Sequence, residues 1–248
     1  MSEKKKPFFS IIIPTFNVEK VLDNAINSIK IQSSQDYEII IVDGGSTDNT
    51  LQLIESYRDD TVVLRSISEK DRGIYDAMNK GVKMSQGRFL YFLGADDYLL
   101  DKNVLSDIKE YALLHPTDVI YGNVNSPKLG NHYAGKFTDA AIFYKNISHQ
   151  AIFFKRNVFD LVGFYDLSYH VHADWAHNME WFFHKTIKHR FIDRDIAYFS
   201  DGGYSAVKKD HTFRKHIFKL YYKNARNRNS VLKTLLLIIK GVYSRISR

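Results

Sequence analysis

Three times within the first hundred residues a short apolar run gives way to a stretch in helical register, and this alternation limits the fold more than anything else in the chain. Phe9–Ile13 predicts a strand, after which Val18, Val21, Leu22, Ala25, Ile26 and Ile29 recur on one helix face. Glu38–Val42 predicts a second strand, with Ser46 placed to cap a helix carrying Leu51, Ile54 and Tyr57. Val62–Arg65 predicts a third, followed by Ile74, Ala77, Met78, Gly81 and Val82 on one helix face, and Phe89–Leu93 a fourth. Such alternation predicts an α/β fold, with a Rossmann-like, mostly parallel central sheet flanked by helices. The second half is less regular. Thr117–Tyr121, Ala151–Phe154 and Phe191–Phe199 predict strands, and Ala173–Lys188 a helix. Ligands of such sheets bind beyond the carboxyl ends of the strands, which is where functional residues are sought.

At 248 residues, with 44% apolar and 25% charged residues, the chain is long enough for one large domain with a substantial core. It has no cysteine, which excludes disulfides and thiolate metal sites and suits a reducing, cytoplasmic setting. Pro14 ends the first apolar run too soon for a signal peptide, and no run reaches the roughly 18 apolar residues of a membrane span. The net charge of +7 is unevenly spread. Residues 208–248 carry twelve Lys and Arg against Asp210 alone, a net +11, which leaves −4 for residues 1–207. The expected division is a catalytic body over 1–207 and a basic helical extension over 208–248.

The predicted strand ends share one kind of chemistry. The first ends in Pro14-Thr15-Phe16-Asn17, the second in Asp43-Gly44-Gly45-Ser46-Thr47-Asp48, the fourth in Gly94-Ala95-Asp96-Asp97. Glycines beside Asp43 remove side-chain obstruction, so this carboxylate can approach a ribose or a base; a capped turn is the plainer reading. Asp96-Asp97 supplies hard oxygen ligands of the kind that bind Mg2+ or Mn2+ together with substrate phosphates. Asp76 and Asn79, with Arg72 and Lys83, form a polar stripe opposite the apolar face of their helix. Either that stripe contacts ligand, or Arg72–Asp76 is a surface ion pair.

Taken in order, Ser10–Asn17, Ile41–Asp48, Asp71-Arg72-Gly73-Ile74-Tyr75-Asp76-Ala77-Met78-Asn79-Lys80-Gly81 and Asp96-Asp97 resemble family 2 glycosyltransferases of the GT-A fold. The Tyr75–Gly81 run and the later Ser148-His149-Gln150 resemble a bacterial branch that builds surface polysaccharides. The resemblance implies a nucleotide-sugar donor and a lipid-linked or oligosaccharide acceptor. It places Pro14, Thr15, Asn17, Asp43, Gly45, Asp71, Asp76, Asn79 and Asp96 around the donor and Asp97 on the metal. Many members carry an acid where this chain has Gly94. His149, Gln150 and Trp175 are expected at the acceptor, with a structural role as the alternative for His149; Trp181 could also stack on sugar, but core packing is its plainer reading.

A nucleoside-diphosphate leaving group removes the need for a general acid, so one base suffices for transfer. The resemblance assigns that role to Asp174, with Glu180, Asp166 and His172 as competitors. Gly202–Ser205 resembles a family loop near the diphosphate, with Lys208 or His211 placed to close over its charge. Two other functions meet obstacles. A sugar nucleotidyltransferase needs a glycine-rich basic loop after the first strand, which Pro14–Asn17 does not provide. A non-catalytic nucleotide-sugar-binding protein would not need so complete a motif set. In the basic extension, Phe213–Tyr222 and Val231–Tyr243 predict helices that either lie on an anionic membrane surface or pack on the core. No nucleic-acid module accompanies the charge.

Overall fold

A computed structural model describes residues 6–58, 63–128, 130–133, 135–200 and 210–246. Four parallel strands open the chain: β1 (Phe9–Thr15), β2 (Tyr37–Asp43), β3 (Val63–Ser68) and β4 (Phe89–Phe92). Between them run α1 (Leu22–Lys30), α2 (Thr50–Ser56) and α3 (Ile74–Met84). There follow β5 (Tyr98–Leu99), α4 (Val104–Leu114), β6 (Val119–Ser126), β7 (Gly130–Tyr133), α5 (Ala141–Tyr144), a 3-10 turn at His149–Ala151, β8 (Ile152–Lys155), α6 (Val158–Val162), α7 (Ala173–Phe182) and β9 (His189–Tyr198). Two helices end the described chain, α8 (His211–Ala225) and α9 (Val231–Ile246).

All the strands join one sheet in the order β3-β2-β1-β4-β8-β6-β9-β5, with β7 paired to β6. Strand β8 is antiparallel to both neighbours, β4 and β6. It therefore starts at the edge where β1 to β4 end. The residues just before β8 enter the ligand edge from the opposite direction.

Alternation along the strands divides the core in two. Ile12, Ile40, Val42, Leu90 and Phe92 pack with α3, α7 and α8 on one side, whereas Ile11, Ile13, Ile39, Ile41 and Tyr91 pack with α1 and α4 on the other. Each face is fully covered, which explains why β1 and β2 are buried along their whole length. Gly81 is required here, because a Cβ at this position would lie 2.3 Å from Cγ2 of Ile12.

The fold departs from expectation at several boundaries. Val18 and Val21 precede α1, which begins at Leu22. Ser46 caps no helix: α2 begins at Thr50, and the Ser46 hydroxyl donates to Asp43 instead. The third strand extends to Ser68, and α7 ends at Phe182 rather than Lys188. Val62, Gly202–Ser205, Lys208 and the 207/208 boundary lie outside the described residues.

The basic extension meets the core along one side only. Phe213, Ile217, Tyr221 and Ala225 of α8 join the same buried cluster as the sheet, and Leu237, Ile238 and Val242 of α9 pack against it. Gly241 sits so close to Phe143 that a Cβ would come within 2.6 Å of its ring. The outer stripe of α9, Leu232, Leu235, Leu236, Ile239 and Tyr243, is exposed, as is Phe218 on α8.

Candidate active site

Beyond the ends of β1 and β4 lies a cavity of 590 Å3 lined by Pro14, Thr15, Asp71, Gly73, Ile74, Gly94, Asp96 and Ser200 among others. Beside it lies a second, of 470 Å3, whose lining includes Tyr75, Asn146, His149, Gln150, Asp174, Trp175 and Phe199. Sequence neighbours divide between them: Ile74 and Ser200 line the first, Tyr75 and Phe199 the second. The two cavities therefore abut along the ends of the sheet.

Asp43 does not line the first cavity; it organises the loop beside it. The carboxylate is fully buried and accepts from Thr15 Oγ1, the backbone and hydroxyl of Ser46, Gly45 N and Ser68 Oγ. Burial alone would raise its pKa, but these hydrogen bonds outweigh burial and hold it below the usual carboxylate value. Asn17, at φ 54°, accepts from Thr47 N, so this side chain and Gly45, at φ 86°, shape the same loop. Gly44 lets Asp71 approach closely, since a Cβ there would lie 2.6 Å from Asp71 Oδ2. Asp71 in turn accepts from Gly73 N and faces the cavity.

The two adjacent acids have different situations. Asp96 lines the cavity. Asp97 is buried, with Oδ1 accepting from Ser200 N at 2.8 Å and Oδ2 from Gln150 Nε2 at 2.6 Å. Burial, together with the neighbouring Asp96 charge, pushes the Asp97 carboxyl up to about 6 against the opposing pull of those hydrogen bonds. The expected metal ligand is thus a clamped carboxyl beneath the surface, and the acid open to a ligand is Asp96. Gly94 fits this arrangement, because a Cβ there would meet Asp97 Oδ2 at 2.3 Å and Asp96 Oδ1 at 3.2 Å. Among the described residues no group of three or more His, Asp or Glu is placed to hold a metal ion, so the candidate donors are the two adjacent acids. Such a donor set fits Mg2+ or Mn2+, which commonly take one or two carboxylates and complete their shell with phosphate and water.

Asp76 and Asn79 line neither cavity. Asp76 accepts from Arg72 N and pairs with Arg72 and Lys80. Asn79 is not on an exposed stripe; it is buried, and its amide donates to Tyr165 O and accepts from Tyr165 N. Both of its polar groups are thereby satisfied within the fold.

In the second cavity Asp174, in the first turn of α7, is 6% exposed. Its Oδ1 accepts from Tyr75 Oη at 2.9 Å and Trp175 N at 2.8 Å; its Oδ2 accepts from Asn146 Nδ2 at 2.9 Å and stands 3.4 Å from His149 Nδ1. Burial would raise the Asp174 pKa, but the His149 contact and charge and the Tyr75 hydrogen bond hold it below the ordinary value. Asp174 is therefore ionised at neutral pH. A hydrogen-bonded chain supports it from the core: buried Trp181 Nε1 donates to Asn178 Oδ1, Asn178 Nδ2 to Asn146 Oδ1, and Asn146 Nδ2 to Asp174. Trp175 borders the cavity with its indole N–H tied to Ile142 O, and His149 Nε2 has no hydrogen-bond partner among the described residues.

Three participants were invisible to pattern reading. Tyr75 was expected only as part of a motif, Asn146 not at all, and Asp210 only as a stray acid. Asp210 caps α8 through Phe213 N and also accepts from Val171 N and His172 N, tying the basic extension to the turn that presents Asp174. An Asp directly before a helical run is the signal that could have found it.

The sheet, led by parallel strands, carries acids at its strand ends beside two adjoining cavities. The sequence profile of glycosyl transferase family 2 matches residues 10–211, and the chain belongs to that family. It is 39% identical over 215 residues to a PGL/p-HBAD biosynthesis glycosyltransferase of Mycobacterium tuberculosis, covering 85% of this chain and 84% of that protein. Its fold matches Staphylococcus aureus TarS 1-349 in complex with UDP, with a TM-score of 0.75 at 18% identity over 97% of this chain and 72% of TarS 1-349. It also matches the mannosyltransferase PcManGT of Pyrobaculum calidifontis in complex with GDP-Man and Mn2+, with a TM-score of 0.66 at 14% identity over 98% and 81% of the two chains. The architecture is that of GT-A-like glycosyltransferases. No helix among the described residues is long and apolar enough to cross a membrane.

Proposed function

We propose that this glycosyltransferase inverts the sugar it moves, from a UDP-sugar to a lipid-linked or oligosaccharide acceptor, in bacterial surface polysaccharide synthesis at the cytoplasmic face of the membrane. The observation that carries this reading is the separation of the acids: Asp71 and Asp96 border one cavity, and the ionised Asp174 lines the one beside it. In the first cavity the nucleoside diphosphate lies along Thr15, Asp71 and Asp96. In the second, Asp174 takes the proton of the acceptor hydroxyl as that O–H bond breaks. The freed electron pair forms the bond to the anomeric carbon while the sugar–phosphate bond breaks, its pair leaving with UDP. One displacement inverts the configuration. Asp96, steadied by Asp97 and Gln150, would hold a Mn2+ or Mg2+ ion that offsets charge on the diphosphate.

Metal and donor binding are coupled in this scheme, because one carboxylate alone repels a diphosphate. Titration calorimetry with UDP is expected to show much tighter binding with Mn2+ or Mg2+, and Asp96→Asn to lose most of that gain. An equal metal effect in the variant would remove Asp96 from the site.

The exposed stripe on α9, flanked by Lys233 and Lys240, suits an anionic bilayer surface, and α8 exposes Phe218, Lys215, Lys219 and Lys223 besides. A second copy of the same net +11 segment would repel it, which favours lipid as the occupant. Each cation near such a surface contributes ~1 kcal/mol, screened within a Debye length. The full chain is expected to sediment with anionic liposomes at low salt and to release at high salt. Leu236→Glu together with Ile239→Glu should abolish that binding; failure of the unaltered chain to bind at low salt would make the stripe a purely structural surface.

A further inference from the structure

Tyr75 carries one hydroxyl proton but stands within hydrogen-bond distance of two acceptors. Its oxygen lies 2.7 Å from Val171 O and 2.9 Å from Asp174 Oδ1. The hydroxyl can serve only one of them at a time. With Asp174 ionised, the hydroxyl donates to Asp174 Oδ1, and Val171 O faces a lone pair. Once Asp174 holds a proton it no longer needs that donor, and the hydroxyl is free to turn to Val171. Tyr75 is 6% exposed, at the lining of the second cavity.

From this geometry we propose that Tyr75 is a positioning residue for the transfer reaction, its hydroxyl turning between Asp174 and the Val171 carbonyl in step with the charge on Asp174. The proposal rests on Asp174 being the base. In the resting site the hydroxyl holds Asp174 ionised and in place. Turning to Val171 removes one donor from the carboxylate, so its proton affinity rises when the acceptor hydroxyl must give up its proton. The acceptor's O–H bond is the one that breaks, the proton ends on Asp174, and the Tyr75 O–H bond stays intact throughout. A carboxylate held firmly enough to stay ionised is a weak base; a donor that can leave resolves that conflict. The turn at Val171 is itself fixed, since Val171 N donates to Asp210.

Other titratable groups face Asp174. His149 comes from the turn before β8, Tyr165 from the loop before α7, and His172 and His177 from α7 and its start. Burial lowers the pKa of His172, and pushes His177 down to about 4, so neither carries charge near neutrality. His149 is the neighbour to control for.

The test is the pH profile of kcat for Tyr75→Phe in the full chain, with UDP affinity as the check on folding. Loss of a donor to the charged form should move the acid limb upward by about 1 pH unit. The plateau should fall by less than ~10-fold, because the base remains, with the donor KM unchanged. Replacing Tyr75 by 3-fluorotyrosine, a stronger donor of nearly the same shape, should move the limb downward. The upward shift should persist in a His149→Gln background. An unmoved limb in both Tyr75 variants, with UDP binding intact, would reduce Tyr75 to packing and overturn the proposal. Failure of the base assignment reads differently: Asp174→Asn would then turn over at near-normal rates with its acid limb in place.

Discussion

Asp174→Asn is expected to bind UDP as the unaltered enzyme does and to lose turnover by a factor of ~10²–10⁴, the scale for removing a general base. The variant is nearly isosteric, and an amide oxygen at Oδ2 still accepts from Asn146 Nδ2. Donor binding should survive because the two cavities have separate linings. Single-turnover transfer measured beside UDP calorimetry separates the two quantities. Near-normal transfer would direct attention to Glu180, whose pKa is raised by burial, the sign expected of a base poised closer to neutrality.

The second large effect is on stability. Trp181 is fully buried, packs its ring near Tyr121, Phe154 and His189, and starts the hydrogen-bonded chain to Asp174. Truncation to Ala removes a large core side chain and leaves Asn178 Oδ1 without its donor, so a loss of about 3–5 kcal/mol is expected. Denaturant unfolding should show it. Trp181→Phe keeps most of the packing and loses only the indole N–H. It should cost about 1–3 kcal/mol while loosening Asn146, and with it the acceptor side of the site. If Trp181→Ala cost less than about 1 kcal/mol, the residue would not be the anchor described.

Much of the first cavity's lining was legible in sequence. Parallel strands covered on both faces read as unbroken apolar runs, and their ends are where a backbone leaves the sheet and polar residues collect. That rule singles out Thr15 and Asp96, and the family resemblance adds Asp71; all three line the first cavity. What it could not decide is which of two adjacent acids turns outward. That depends on the path of the chain after β4, and on Gln150 and Ser200, which arrive from distant elements to clamp Asp97. Asn79 was misread for a related reason. It lies four residues after Tyr75 on α3, and what satisfies its amide is the backbone of Tyr165, 86 residues away. The second cavity was the harder one. Tyr75, Asp174 and Trp175 reach it from the first turns of two helices, but His149, Gln150 and Asn146 come from a 3-10 turn and the loop before it, which have no period to read.

The chain has two tryptophans, and both sit on the helix that presents Asp174, one bordering the second cavity and one buried beneath it. Both indole N–H groups are engaged, with Ile142 O and Asn178 Oδ1. The first cavity has no tryptophan in its lining. The protein's own ultraviolet emission is consequently an optical reporter built into one half of the proposed active site. A spectral shift on adding a candidate acceptor would register occupancy beside Trp175 without a label, while the same spectrum would be nearly blind to the nucleotide.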